Sequence, residues 1–132
     1  MDTVRVLVVD DEEIFRRAMA DVVAETDGFV VVGTAASGPD SLTAAEAVRP
    51  DLVLMDVNLP GIDGIEATRR LRSNDPHPVV LLVSTYDEAD VDYAGCGAAG
   101  YIAKVTFGPD RLAEAWAAVN HDSAPERNGE AP

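Results

Sequence analysis

Four short runs of aliphatic residues, Val4 to Val9, Val30 to Thr34, Leu52 to Met55 and Val79 to Val83, constrain the fold of this chain more than any other feature. Runs this short and this uniformly apolar read as strands covered on both faces, as in a parallel sheet. A fifth, weaker candidate is Gly100 to Ala103, which comes after the turn-like segment Gly95 to Gly97. Helical patterns lie between them. Ile14, Ala18, Val22 and Val23 recur on one face after the acidic start Asp11, Glu12, Glu13, which suits the positive end of a helix dipole; this helix should end near Asp27 and Gly28. A second helix is predicted from about Asp40 to Val48, stopping at Arg49-Pro50 because proline disfavours helical geometry in the residue before it. A third covers Gly64 to Arg72, a short acidic fourth Glu88 to Ala94, and a last one Pro109 to Val119, with Leu112, Trp116 and Val119 on one face. Strands alternating with helices predict right-handed crossovers and an α/β fold, its parallel sheet covered on both sides. Residues 121–132, HDSAPERNGEAP, are polar and hold two prolines, so they predict a disordered tail after one domain over residues 1–120.

The polar residues that end these runs carry the chemistry. Asp10 and Asp11 come after the first, Asp56 after the third, Ser84 after the fourth and Lys104 after the fifth. In an open parallel sheet the carboxyl ends of all strands share one edge, and ligands bind there near the point where strand order reverses. These five residues would then line one pocket, whereas the second run ends in Thr34, Ala35 and Ala36 and fits an edge strand outside it. Three crowded carboxylates repel one another unless a cation neutralises them. Oxygen-only ligation favours magnesium, which retains waters and accepts a phosphate oxygen. Asp56 can then act as a nucleophile that forms an aspartyl phosphate, with Lys104 pairing with the added charge and the Ser84 hydroxyl donating to a phosphoryl oxygen. Lys104 is the only lysine in the chain, the other nine basic residues being arginine, which suits a site that needs a compact point charge. Taken singly, each residue has a plainer reading: helix capping for Asp10 and Asp11, a turn before Asn58-Leu59-Pro60-Gly61 for Asp56, a turn or cap for Ser84.

Composition narrows the alternatives. With 132 residues, 47% of them hydrophobic, the chain suffices for one packed domain. Ten basic residues against twenty-four acidic ones leave a net charge of −14, which opposes direct binding to nucleic acid or to anionic membranes. No membrane-length apolar run or signal peptide is seen, so a soluble cytoplasmic protein is expected. Cys96 is the only cysteine, which excludes an internal disulfide and a cysteine-built metal site.

Through VLVVDDEE at 6–13, LVLMDVNLPGIDG at 52–64, LLVST at 81–85 and GYIAK at 100–104, the sequence resembles the receiver domain of bacterial two-component response regulators over roughly residues 4–119. The resemblance implies a flavodoxin-like fold of five parallel strands in the order 2-1-3-4-5, flanked by five helices. It implies that Asp56 is the phosphoacceptor and that Asp11 and Asp56 ligate Mg2+ directly with the Asn58 backbone carbonyl, Asp10 helping through water. Ser84 would be the switch hydroxyl, Lys104 the phosphoryl contact, and Tyr101 the aromatic whose rotation accompanies activation. The implied donor is a phosphohistidine on a sensor histidine kinase, docking near Ile14, Phe15 and Met19. Such a domain catalyses only its own phosphorylation and dephosphorylation. The segment from Val83 to Lys104 further resembles receivers of helix-turn-helix transcriptional regulators, which implies a transcriptional output through a DNA-binding domain that this chain lacks. A homodimer through the first and last helices is the expected assembly.

Three departures from the family pattern bear on the readout. Val105 comes after Lys104 where the family usually has a proline after a cis bond, and a non-proline cis bond costs about 3 kcal/mol, which makes a trans bond possible here and a differently shaped loop at Lys104. Thr85 stands where a smaller residue is common and Tyr86 is next to it, so restricted access and a long-lived phosphoryl group are expected. The interval between Ser84 and Lys104 is shorter than the resemblance implies, which predicts a short fourth helix. A haloacid-dehalogenase-type phosphatase also uses a strand-terminal aspartate, but it needs a second Asp two residues on, where this chain has Asn58. A third reading is a receiver-like module that is never phosphorylated and works through its surfaces, against which the intact acidic set argues.

Overall fold

The computed structural model describes the backbone of residues 3–129 and the side chains of residues 3–119. Strands β1 (Val4–Val9), β2 (Phe29–Ala35), β3 (Leu52–Asp56), β4 (Val79–Ser84) and β5 (Gly100–Ala103) form one parallel sheet in the order 2-1-3-4-5. Four α-helices connect and flank them: α1 (Glu13–Glu25), α2 (Gly38–Val48), α3 (Gly64–Arg72) and α4 (Pro109–Gly129).

Period-two alternation along the strands sorts the core into two layers. Leu7, Val9, Val53, Met55, Val80, Leu82 and Tyr101 point to one face and pack under Ala45, Ala67 and Leu71 of α2 and α3. Val6, Val8, Leu52, Leu54, Leu81, Val83 and Ile102 point to the other and meet Met19, Val23, Leu112 and Ala115 of α1 and α4. Both parities of β1, β3 and β4 are buried, which is why these segments read as continuous apolar runs. β2 lies at the sheet's edge and is only partly buried, matching its expected place outside the site.

Helix ends obey their local chemistry. Ser37 caps α2 by accepting from the Asp40 N–H, with Pro39 in the first turn, and Asp63 caps α3 by accepting from the Glu66 N–H at 2.8 Å. At the far end of α2, Arg49 adopts a left-handed conformation (φ 49°), and the Arg5 guanidinium donates to the carbonyls of Val48 and Arg49.

The expected fourth helix, over Glu88 to Ala94, does not form, which leaves four α-helices among the described residues where five were expected. Only a 3-10 turn at Glu88–Asp90 interrupts an otherwise irregular connection between β4 and β5. Gly95 and Gly97 take positive φ (79° and 99°), closing off the helical region after Ala94. Asp87, Glu88, Asp90 and Asp92 crowd the few residues that remain, too few to offset the cost of nucleation. The connection is instead fastened by Tyr93, which stacks on Tyr101 at 5.4 Å and donates its hydroxyl to Glu88. That contact, with burial, pushes the Tyr93 hydroxyl up to about 12.

Helix α4 continues past its expected stop at Val119 to Gly129, over residues expected as a tail; residues 130–132 lie outside the described part. Extending an existing helix adds one hydrogen bond per residue without a new nucleus.

Candidate functional site

The carboxyl edge of the sheet gathers the residues that end the strands. Asp10 comes directly after β1 and is fully buried, Asp56 closes β3 at 4% exposure, and Ser84 closes β4 at 1%. Asp11 stands exposed on the loop into α1, and Lys104 opens a second 3-10 turn (Lys104–Thr106) just after β5. One carboxylate oxygen from each of Asp10, Asp11 and Asp56 lies within 4.8 Å of the other two. Lys104 Nζ sits 2.7 Å from Asp10 Oδ2 and 3.6 Å from Asp56 Oδ2, with 7% of its side chain exposed. The Asp10 contact is ionic only, because Oδ2 has no partner in hydrogen-bond geometry. A separate groove, lined by Leu42, Glu46, Arg49 and His77 among others, opens between the ends of α2 and α3 away from these acids and gathers none of the strand-end residues.

Electrostatics at Asp56 reflect this crowding. Burial is the main cause that raises its carboxyl from 3.8 to about 6; Asp10 and, more weakly, Asp11 add to the rise, while Lys104 and a backbone N–H from Asn58 oppose it. Asn58 is exposed, two residues beyond Asp56, and its N–H points at Asp56 Oδ1 across a long 3.5 Å. Asp10 Oδ1 accepts from the Glu12 N–H at 2.9 Å, a turn ahead of α1 rather than a helix cap, since Glu12 is itself the N-cap residue and no side chain caps this helix. Arg16, from the first turns of α1, donates to the Asp10 carbonyl at 2.8 Å.

Ser84 and Tyr101 converge on Tyr86. Ser84 Oγ accepts from the Tyr86 N–H at 3.1 Å, and the Tyr101 hydroxyl donates to the Tyr86 carbonyl at 2.6 Å. Tyr101 is turned inward, 6% exposed. Thr85 is exposed beside them, and the Tyr86 side chain is half-exposed. Asp75–Pro76 is the only cis peptide bond among the described residues, so Lys104–Val105 is trans.

Two contributors to the pocket carry no signal of that role in the sequence. The Phe15 ring, expected only at a docking face, lies over the Lys104 ammonium, 4.2 Å from Nζ to the ring centroid. Gly64, at the start of α3, donates its N–H to the Val57 carbonyl at 2.8 Å, and a Cβ there would stand 2.0 Å from the Asp56 carbonyl oxygen. A Gly64→Ala variant must therefore push α3 away from the strand that carries Asp56. It should lose about 3 kcal/mol of stability, measured by urea unfolding, whereas Gly28→Ala, which meets nothing within 4 Å but has φ 87°, tests backbone strain alone. Met19, by contrast, is 2% exposed and belongs to the core, which removes it from the expected docking face; Ile14 remains 82% exposed.

The pocket's fit to a cation rests on its donors. Three carboxylates converge, the buried Asp10 Oδ2 has the Lys104 ammonium beside it but no partner in hydrogen-bond geometry, and no sulfur or imidazole is among the ligand atoms that converge there. An all-oxygen set of this charge suits a hard divalent ion.

Sheet order and site together define a doubly wound α/β protein of flavodoxin order, with its acidic pocket outside the carboxyl ends of β1 and β3, where strand order reverses. Residues 6–117 match the response regulator receiver domain, and the chain belongs to that family. It is 45% identical over 103 residues to the response regulator GacA of Pseudomonas viridiflava, covering 76% of this chain and 48% of that protein. It is 37% identical over 111 residues to the positive alginate biosynthesis regulatory protein of Pseudomonas aeruginosa, covering 83% and 44% respectively. The chain thus spans about half the length of these curated relatives. Among solved structures, the signal receiver domain of NarL from Mycobacterium tuberculosis superposes with a TM-score of 0.82 at 30% identity, covering 91% of this chain and 98% of that one. A two-component response regulator of the LuxR family from Aurantimonas sp. SI85-9A1 gives 0.79 at 32% identity, covering 89% and 85%. Among the described residues, no helix is long and apolar enough to cross a membrane.

Proposed function

We propose that this receiver domain is a phosphorylation switch in which Asp56 takes a phosphoryl group from a sensor histidine kinase in the cytoplasm. The observation that carries the reading is the convergence of the Asp10, Asp11 and Asp56 carboxylates within 4.8 Å, with the Lys104 ammonium 3.6 Å from Asp56. Asp10, Asp11, Asp56 and the Asn58 backbone carbonyl would hold a magnesium ion. When bound, magnesium supplies charge neutralisation and a position for a phosphoryl oxygen.

An Asp56 carboxylate oxygen attacks phosphorus, the bond from phosphorus to the donor's histidine nitrogen breaks, and that nitrogen keeps the electron pair. The raised affinity of Asp56 for a proton means the nucleophile must first be kept ionised, which Lys104 and the cation both favour. Lys104 then meets the new phosphoryl charge. The Ser84 hydroxyl turns from the Tyr86 N–H toward a phosphoryl oxygen, and Tyr86, released on that side, loosens its grip on Tyr101. Hydrolysis by water closes the cycle, so the domain catalyses its own phosphorylation and dephosphorylation.

The kinase docks on the exposed Ile14, Phe15 and Val105 around the pocket mouth. Residues 1–120 form the switch unit. The output is transcriptional, through a DNA-binding domain linked to the receiver, with a homodimer through α1 and α4 as the responding assembly; the receiver itself does not touch DNA.

Incubated with magnesium and acetyl phosphate, the wild type should gain the mass of one phosphoryl group, while Asp56→Asn and magnesium-free samples should gain none. Equal modification of wild type and Asp56→Asn would defeat the assignment.

A further inference from the structure

We infer that Phe15 is a positioning residue for Lys104, holding the ammonium over Asp56 once a cation has drawn Asp10 away; the inference rests on the phosphoacceptor reading above. Lys104 Nζ has three neighbours: Asp10 Oδ2 at 2.7 Å, Asp56 Oδ2 at 3.6 Å and the Phe15 ring at 4.2 Å. Two are carboxylates for which any bound cation competes. The ring is the neutral one, and a cation leaves it untouched.

Lys104 needs a cover of this kind. Its side chain is 7% exposed even though the next residue, Val105, is 91% exposed on the same surface turn. Phe15 supplies the cover at 37% exposure, shielding the ammonium while offering the negative face of its ring. Its position is coupled to the pocket, because it rides on the first turn of α1, which Asp10 organises. Asp10 Oδ1 accepts from the Glu12 N–H, and Arg16 clasps the Asp10 carbonyl. The residue that holds the ammonium at rest therefore also seats the ring that retains it afterwards. Leucine at position 15 would keep the apolar cover and lose the attraction. Lys104 would then face a choice between Asp56 and water.

The test uses beryllofluoride, a phosphoryl mimic that binds without turnover. Wild type, Phe15→Leu and Phe15→Tyr are titrated in magnesium and monitored by fluorine NMR, and magnesium binding alone is measured by calorimetry. Phe15→Leu should bind beryllofluoride about fivefold more weakly, the size of a partly desolvated cation–π contact. Phe15→Tyr should match wild type, and magnesium binding without beryllofluoride should be the same in all three. Equal beryllofluoride affinity for wild type and Phe15→Leu would overturn the inference alone. So would an equal loss in Phe15→Tyr, or a parallel loss of magnesium binding, since either marks a merely structural role. If wild type takes no beryllofluoride, the phosphoacceptor reading and the inference fall together.

Discussion

In magnesium-free buffer at neutral pH, Asp56→Asn is expected to unfold at higher urea than the wild type, with a stability gain of about 2 kcal/mol. Burial of the Asp56 carboxylate beside Asp10 raises its pKa from 3.8 to about 6, so the folded protein binds this proton more tightly than the unfolded chain. Stability therefore falls as pH rises between those two values and stays lower above them. A shift of this size corresponds to about 3 kcal/mol. Asparagine removes the charge but leaves Lys104 with one carboxylate fewer, which trims the gain. Near pH 4 the two proteins should be nearly equal, because Asp56 is then largely protonated in the folded wild type. Unfolding curves across this range, read by Trp116 fluorescence, check both sign and window. A variant less stable than wild type at neutral pH would mean that the Lys104 pair outweighs the burial cost.

Lys104→Met is expected to act in the opposite direction, losing about 3 kcal/mol in the same metal-free buffer. Asp10 is 0% exposed, and Lys104 supplies the one cation against its Oδ2 among the described residues. Methionine fills most of the lysine's volume, so the loss reports the stranded charge rather than a cavity. Two rescues distinguish this cause. Magnesium should restore most of the stability if the acidic cluster holds it, and adding Asp10→Asn should do so without metal. If the double variant is no more stable than Lys104→Met alone, the stranded carboxylate is not the source of the loss. Both variants probe one design: the pocket stores unfavourable charge that a cation relieves, and Lys104 is its internal substitute when none is bound.

Much of the fold is legible in the sequence. Strand positions come from aliphatic runs, because a strand buried on both faces has nowhere to put a polar residue before it reaches the edge. For the same reason the first polar residue at the end of every run but the edge strand's marks the site, and Asp10, Asp56, Ser84 and Lys104 all stand there. Helix α3 matches its expected span because Asp63 and Gly64 punctuate its start locally.

The connection from β4 to β5 departs from its sequence pattern for an equally local reason. Its charged residues fit a helix one by one, and only the positive φ of Gly95 and Gly97, together with the packing of Tyr93 on Tyr101, decides for an irregular path. Met19 is similarly ambiguous, since the face of α1 that meets the sheet is settled by packing rather than by the residue itself.

The sequence by itself therefore determined the sheet, the edge where chemistry gathers and the acidic residues that meet there, because each depends on chain-local periodicity and on strands that all run one way. Only the tertiary structure decided how those residues are paired. That Lys104 reaches Asp10 more closely than Asp56, that Phe15 covers it, and that Ser84 and Tyr101 both answer to Tyr86 are outcomes of distances across elements far apart in the chain, which no spacing along it encodes.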